Sequence, residues 1–258
     1  MPNHVINKLT FTCGEERLRQ ILSEICYDEQ ESGDFGPGTF DFNKIKPMPE
    51  SLNIESGSST TEGIDLYLTA LNPFGADLGL EKLSEEAFAE LLTAYKGKSR
   101  YLSWDADLQP DRISKYTAHD SLSKLLTLGE AAVNNKIRYG APTWYEWRCD
   151  GNHWNTKWNS YDAGPYDGGD SITFETAWSA PHPVIQALSE KYPEVMILHR
   201  WADEDLGRNC GWAEYEHGEE LRSFVFTPSE EANCFAAEMW GINSDELDMD
   251  PDELALSL

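Results

Sequence analysis

The chain has 258 residues, 40% hydrophobic and 12% aromatic, which suits one large domain or two modest ones and argues against a disordered chain. Its 46 acidic residues outnumber 20 basic ones, a formal charge of −26 that repels nucleic-acid phosphates and anionic membranes and attracts cations or basic protein surfaces. No apolar run approaches the ~20 residues of a membrane span, no basic-then-apolar leader opens the sequence, and five scattered cysteines suit a reducing cytoplasm.

From His4 to Thr12 apolar residues fall on both alternating sets, Val5, Leu9 and Phe11 on one and Ile6 on the other, which predicts a largely buried strand. Gly14 ends it, and Leu18, Ile21, Leu22 and Ile25 then recur at helical spacing behind Glu15 and Glu16, whose charge suits a helix N-terminus. Residues 27–38 read as an acidic loop. Phe40–Leu52 reads as extended, because Pro47 and Pro49 bias their neighbours away from helix. Ser56–Thr61 reads as a small-residue loop. Helical periodicity then runs to Tyr139, in stripes through Ile64, Leu68 and Leu71, through Leu83–Tyr95 behind Ser84, and through Leu122, Leu125, Leu126, Ala132 and Val133.

After Gly140 the pattern turns to strands. Asn155–Tyr161 and Ser171–Trp178 are predicted as strands across the glycine-rich GPYDGG turn. A helix is expected over His182–Tyr192, then strands near Val195–Ala202, Gly211–His217 and Leu221–Phe226, with Gly218 turning the last pair. Ser229 is placed to cap a helix through Phe235 and Met239, ahead of an acidic tail. The order β-α-insert-β-β-α-β plus a hairpin predicts an α+β fold: a ferredoxin-like antiparallel sheet with helices on one face and a large helical insertion. The domains expected are 1–50 with 150–228 as the discontinuous sheet domain, 51–149 as the helical insertion and 229–258 as an acidic C-terminal helix and tail.

Several segments are similar to a known family. MPNHVINKLTFTCG resembles the P-N-x-x-x-N-x-L-T opening of the YubB-type ferredoxin-like family, and FDFNKIKPMPESL resembles its F-x-F-x-x-I-x-P-x-P segment. The aromatic stretch Tyr139–Asn159, ITFETAWSAP and RWADEDLGRNCG resemble its later segments in the same order, to about residue 226. The chain departs at His4 and Val5, where relatives often have Trp and Cys. The resemblance implies the fold and an origin in plasmids, phages or prophages, hence a bacterial host cytoplasm. It implies no catalytic residue.

Motifs for chemistry are few. Cys149 and His153 make a Cys-x3-His pair, but two ligands are not a zinc site, and Asp203, Glu204 and Asp205 with Asn209 lack the spacing of a calcium loop. No nucleophile elbow, P-loop or dinucleotide fingerprint occurs. No catalytic residue, metal or cofactor is therefore assigned. Trp144, Trp147 and Trp158 are read as core rings rather than a stacking surface, because residues 151–258 hold 22 of the acids and only 5 of the basic residues.

That asymmetry points to the acids as the working surface. The candidate partner-binding residues are Asp203, Glu204, Asp205, Glu214, Glu216, Glu219 and Glu220, followed by Asp245, Glu246, Asp248, Asp250, Asp252 and Glu253 in the tail. The function expected is that of a non-enzymatic acidic inhibitor or adaptor of a mobile element. Its partner would be a basic protein surface, a nucleic-acid-handling host protein in the DNA-mimic form of the reading, with no direct binding to nucleic acid or membrane. Two alternatives stand beside it: an enzyme or small-ligand protein with a site between sheet and helical insert, and a structural component of a phage particle.

Overall fold

The structure is a computed structural model that describes residues 3–29, 35–71, 120–164 and 166–242. The chain divides into two compact units, Met1–Pro47 with Arg148–Leu258, and Met48–Trp147.

The first unit is built on a five-stranded antiparallel sheet in the order β2-β1-β3-β4-β5, with β1 at His4–Phe11, β2 at Ser171–Ala177, β3 at Ile197–Asp203, β4 at Gly211–Glu216 and β5 at Glu219–Val225. β1 pairs with β2 in the register Asn7 to Phe174 across some 160 residues of sequence, and with β3 on its other side. Closing so long a loop costs only logarithmically more than closing a short one. Because paired residues share a face, Val5, Leu9 and Phe11 line up with Ile172, Phe174, Ile197, His199 and Trp201. That face carries the core.

Helix α1 (Glu15–Ile25) buries Leu18, Ile21, Leu22 and Ile25, the predicted stripe. It lies beside the end of helix α5 (His182–Lys191), where the Tyr192 hydroxyl donates to Glu24 Oε2 at 2.7 Å. His182 at the start of α5 meets the Trp201 ring edge-on at 4.4 Å, which seats α5 on the core face. Helix α6 (Glu230–Trp240) lies on the opposite face. Its Ala232, Ala236 and Met239 pack with Ala202 and Cys210, and Ile6 closes the cluster. Ser229 caps α6 as predicted, its hydroxyl accepting from the Ala232 N–H at 3.2 Å, and Gly241 ends it in the left-handed conformation that glycine tolerates.

One predicted strand is absent. Residues 155–161 form bends, with a single bridge between Tyr161 and Glu175. Asn155 and Asp162 both take positive φ (60° and 47°), and Thr156 spends its hydroxyl on the Ala177 carbonyl at 2.8 Å. Side-chain bonds to the backbone replace the ladder. Counting that bridge as a vestigial strand, the order becomes 2-3-1-4 of a βαββαβ ferredoxin-like sheet, extended by β4 and β5.

The aromatic segment is mixed. Trp147 is buried as expected and so is Trp154, Trp144 is half-buried, and Trp158 is exposed, contrary to its expected place in the core. In place of Trp158, Phe40, Phe42, Trp154 and Phe174 make the core cluster, through edge-to-face contacts at 5.1–5.6 Å between Phe40 and Phe42, Phe40 and Phe174, and Phe42 and Trp154.

The second unit contains helix α2 (Ser58–Leu71) and helix α3 (Asp120–Tyr139); helix α4 (Trp144–Cys149) crosses its boundary. The small-residue stretch expected as a loop is already helical at Ser58, because Thr61 N–H bonds to the Gly57 carbonyl at 3.1 Å and starts the ladder. Ile64, Leu68, Ala132 and Val133 are buried, as their periodicity requires. The Leu83–Tyr95 stripe lies outside the described residues.

Candidate functional site

Among the described residues, strand β5 is the outer strand of the sheet and pairs with β4 alone. All seven of its residues are exposed, including Leu221 (51%), Phe224 (49%) and Val225 (62%). A slip of the register between Glu214 and Tyr215 sets Leu221 outside the pairing. An outer strand with exposed apolar side chains is a template for pairing with another chain.

The candidate acids are distributed around this hairpin unevenly. Glu216 and Glu219 face each other across its turn, with Gly218 between them. Glu220 accepts from Ser223 Oγ at 2.6 Å and from the Tyr215 hydroxyl at 3.5 Å. Glu214 is mostly covered, because Arg222 clamps both its oxygens at 2.6 and 2.8 Å.

Asp203 does not belong to the acidic surface expected of it. It is only 6% exposed, and its carboxylate accepts from Asn3 Nδ2 at 3.0 Å, the Asp205 N–H at 2.9 Å and Asn209 Nδ2 at 3.3 Å. It holds the turn after β3 and offers no surface to a partner. Glu204 accepts from the His4 N–H, and Asp205 lies 3.4 Å from Arg208. The sheet also separates these acids. Ile197 pairs with Tyr215, so Glu204 and Asp205 lie at the far end of β3 from the hairpin turn, roughly 20 Å away at ~3.3 Å per residue. Asp245, Glu246, Asp248, Asp250, Asp252 and Glu253 lie outside the described residues.

A second feature had no counterpart in the sequence reading. Beside the β1–β2 edge opens a cleft of about 580 Å³, lined by residues that include His4, Tyr27, Arg148, Trp158, Tyr161 and Asp162. The β1–β2 register brings His4 and Glu175 to one face, and the backbone bridge from Tyr161 to Glu175 brings the phenol to them. His4 Nδ1 lies 2.9 Å from the Tyr161 hydroxyl and 3.1 Å from Glu175 Oε2. One ring nitrogen thus serves a phenol and a carboxyl. Protonated, it donates toward Glu175. Bare, it accepts from the Tyr161 hydroxyl. Burial pushes the Glu175 carboxyl up from its usual range, Asp162 adds to the push, and His4 opposes it. Burial also raises the Tyr161 phenol, with Glu175, Asp162 and Glu204 acting in the same direction.

Rings extend the cleft outward. The His4 and Tyr161 rings meet edge-on at 5.7 Å, and Tyr161 and Trp158 at 5.9 Å. Lys157 Nζ sits 5.0 Å from the centroid of Trp158 and 4.9 Å from that of Trp178. Both tryptophans are exposed, at 37% and 40%. Trp178 holds φ +73°, a strained value for a bulky residue, with its carbonyl bonded by Asn209 Nδ2 at 3.1 Å.

Residues 153–245, a little over a third of the chain, match the family model described as a ferredoxin-like domain in Api92-like protein. The crystal structure of a protein api92 from Yersinia pseudotuberculosis is similar at 12% sequence identity, covering 89% of this chain and 99% of that one, with a TM-score of 0.37. No curated protein matches the sequence. Among the described residues, no helix is long and apolar enough to cross a membrane. The matched segment holds four of the five strands and both helices α5 and α6, and with the strand order it makes this unit a ferredoxin-like α+β domain.

Proposed function

We propose that this protein is a non-enzymatic acidic binding protein that engages a basic protein surface through its β4–β5 hairpin. The observation that carries the reading is β5 itself, an outer strand exposed along its whole length, flanked by Glu216 and Glu219 at its turn. A partner segment added to that edge gains main-chain hydrogen bonds, contacts to Phe224 and Val225, and attraction from a chain of formal charge −26. The resemblance of its opening and later segments to the YubB-type family supports a mobile-element origin. A nucleic-acid-handling host protein is then the partner that acidity best fits, and inhibition by DNA mimicry is the form we favour. A bacterial cytoplasm follows as the setting.

The test is capture of lysate proteins on the immobilised chain at low and high salt, followed by the E216K/E219K variant. A nucleic-acid-binding protein should be retained at low salt, released at high salt and lost on charge reversal. Retention that survives both changes would sink the reading.

A further inference from the structure

We infer that the cleft beside His4, Trp158 and Tyr161 is a binding site for a small organic cation, an alkylammonium or guanidinium head seated against Tyr161, Asp162 and the Trp158 ring. This site is distinct from the β4–β5 hairpin and does not depend on it.

Four observations converge. The cleft, at about 580 Å³, has the size of a small-molecule site and is far larger than a bare ammonium needs. Its lining includes the rings of Tyr27, Trp158 and Tyr161, beside the neutral polar side chains of Asn43, Asn159 and Ser160, and ring faces attract cations. Rings in this region accept cations, as Lys157 Nζ 5.0 Å from the Trp158 centroid and the Arg148 guanidinium 4.5 Å from the Trp154 centroid show. The Tyr161 end is negative: Asp162 is exposed there, and Asp162 and Glu204 are among the charges that act on the Tyr161 phenol. Arg148 in the lining and Lys157 beside Trp158 are the opposing charges, so the cation head belongs at the Tyr161–Asp162 end. An anionic ligand would meet the field of those carboxylates and of the whole chain.

The head could belong to a free metabolite or to an arginine or lysine side chain of another protein. Both share the chemistry, and the probes below separate them.

The experiment titrates the full chain with N-ethylguanidinium, its neutral isostere N-ethylurea, and N-acetyl-arginine N-methylamide, following indole N–H signals by NMR with Trp158 assigned from W158F. N-ethylguanidinium should shift the Trp158 signal saturably, and N-ethylurea should not at the same concentrations. W158A and D162N should each weaken binding at least tenfold. D162N keeps a residue that tolerates φ +47°, so its fold is secure even if W158A fails to express. Stronger binding of the capped arginine than of N-ethylguanidinium assigns the site to a protein side chain, and the reverse assigns it to a free cation. Equal binding of the urea, absence of a saturable shift with either cation, or full binding by D162N would overturn the proposal. Hairpin variants such as E216K/E219K should leave this titration unchanged, so failure here and failure of the partner capture are read separately.

Discussion

Asn7 shows what a single side chain fixes. It lies on β1 among apolar neighbours and is fully buried. Its Nδ2 donates to the Val5 carbonyl and to Thr176 Oγ1, both at 2.9 Å, so its Oδ1 must accept, and it accepts from His199 Nε2 at 3.0 Å. His199 is thereby held with hydrogen on Nε2, and its Nδ1 is buried with no hydrogen-bond partner among the described residues. Burial, reinforced by neighbouring His182, drives the His199 imidazole well below its usual range. The unfolded chain, with an ordinary histidine near pH 6.5, takes a proton that the folded chain refuses. The contribution to stability is therefore complete above about pH 6.5 and is lost as pH falls below it, at ~1.4 kcal/mol per pH unit for each such proton. His182, also lowered by burial, adds to the slope. Urea midpoints measured from pH 7.5 down to 5.5 should fall less steeply in H199Q, whose amide keeps a donor for Asn7. Identical slopes in variant and parent would remove His199 from the account. The alternation around Asn7 was legible in the sequence, and so was its membership of the P-N-x-x-x-N opening. Its partner was not, because His199 lies 192 positions away and only the strand register brings them together.

At the scale of elements, the sequence pattern found α1, α5, α6 and all five strands within a few residues, mostly because each presents a continuous stripe to a core, and for the exposed β5 because Gly218 marks its turn. It failed at 155–161, where alternation is present but side chains of Asn155 and Thr156 tie the segment to Ala180 and Ala177 instead. It failed again at Trp158, because an aromatic residue in a strand pattern reads as core wherever it points. Periodicity also does not report how closely two helices approach. In the second unit α2 and α3 cross at Gly63 and Gly129, and a Cβ added at Gly129 would stand 2.0 Å from the Gly63 carbonyl oxygen. That neighbour is backbone and cannot turn aside. G129A should therefore force the helices apart and destabilise residues 48–147 by about 1–3 kcal/mol, the usual cost of overpacking. Limited proteolysis should cut that unit faster in G129A while β1 to β5 stay protected. Unchanged proteolysis would mean that the crossing is looser than its geometry.

For the whole molecule the question is whether the acidity acts as a field or as a surface. A formal charge of −26 steers any basic partner from a distance, and steering appears in the on-rate and fades as salt shortens the Debye length to about 8–10 Å. The sheet supplies an internal control, since Glu204 with Asp205 and Glu216 with Glu219 lie at opposite ends of it. E204K/D205K and E216K/E219K change the net charge equally, and exposed substitutions of this kind usually alter stability by less than about 0.5 kcal/mol each. With the captured partner, both variants should slow association by similar factors at low salt. Only E216K/E219K should also speed dissociation, because only the hairpin makes contact in the proposed complex. A duplex DNA competitor should displace the protein if the partner's nucleic-acid groove is the surface engaged, and leave it bound if the partner offers another basic face. Equal effects of the two variants on dissociation would leave the charge acting only as a field and would move the contact surface away from β5.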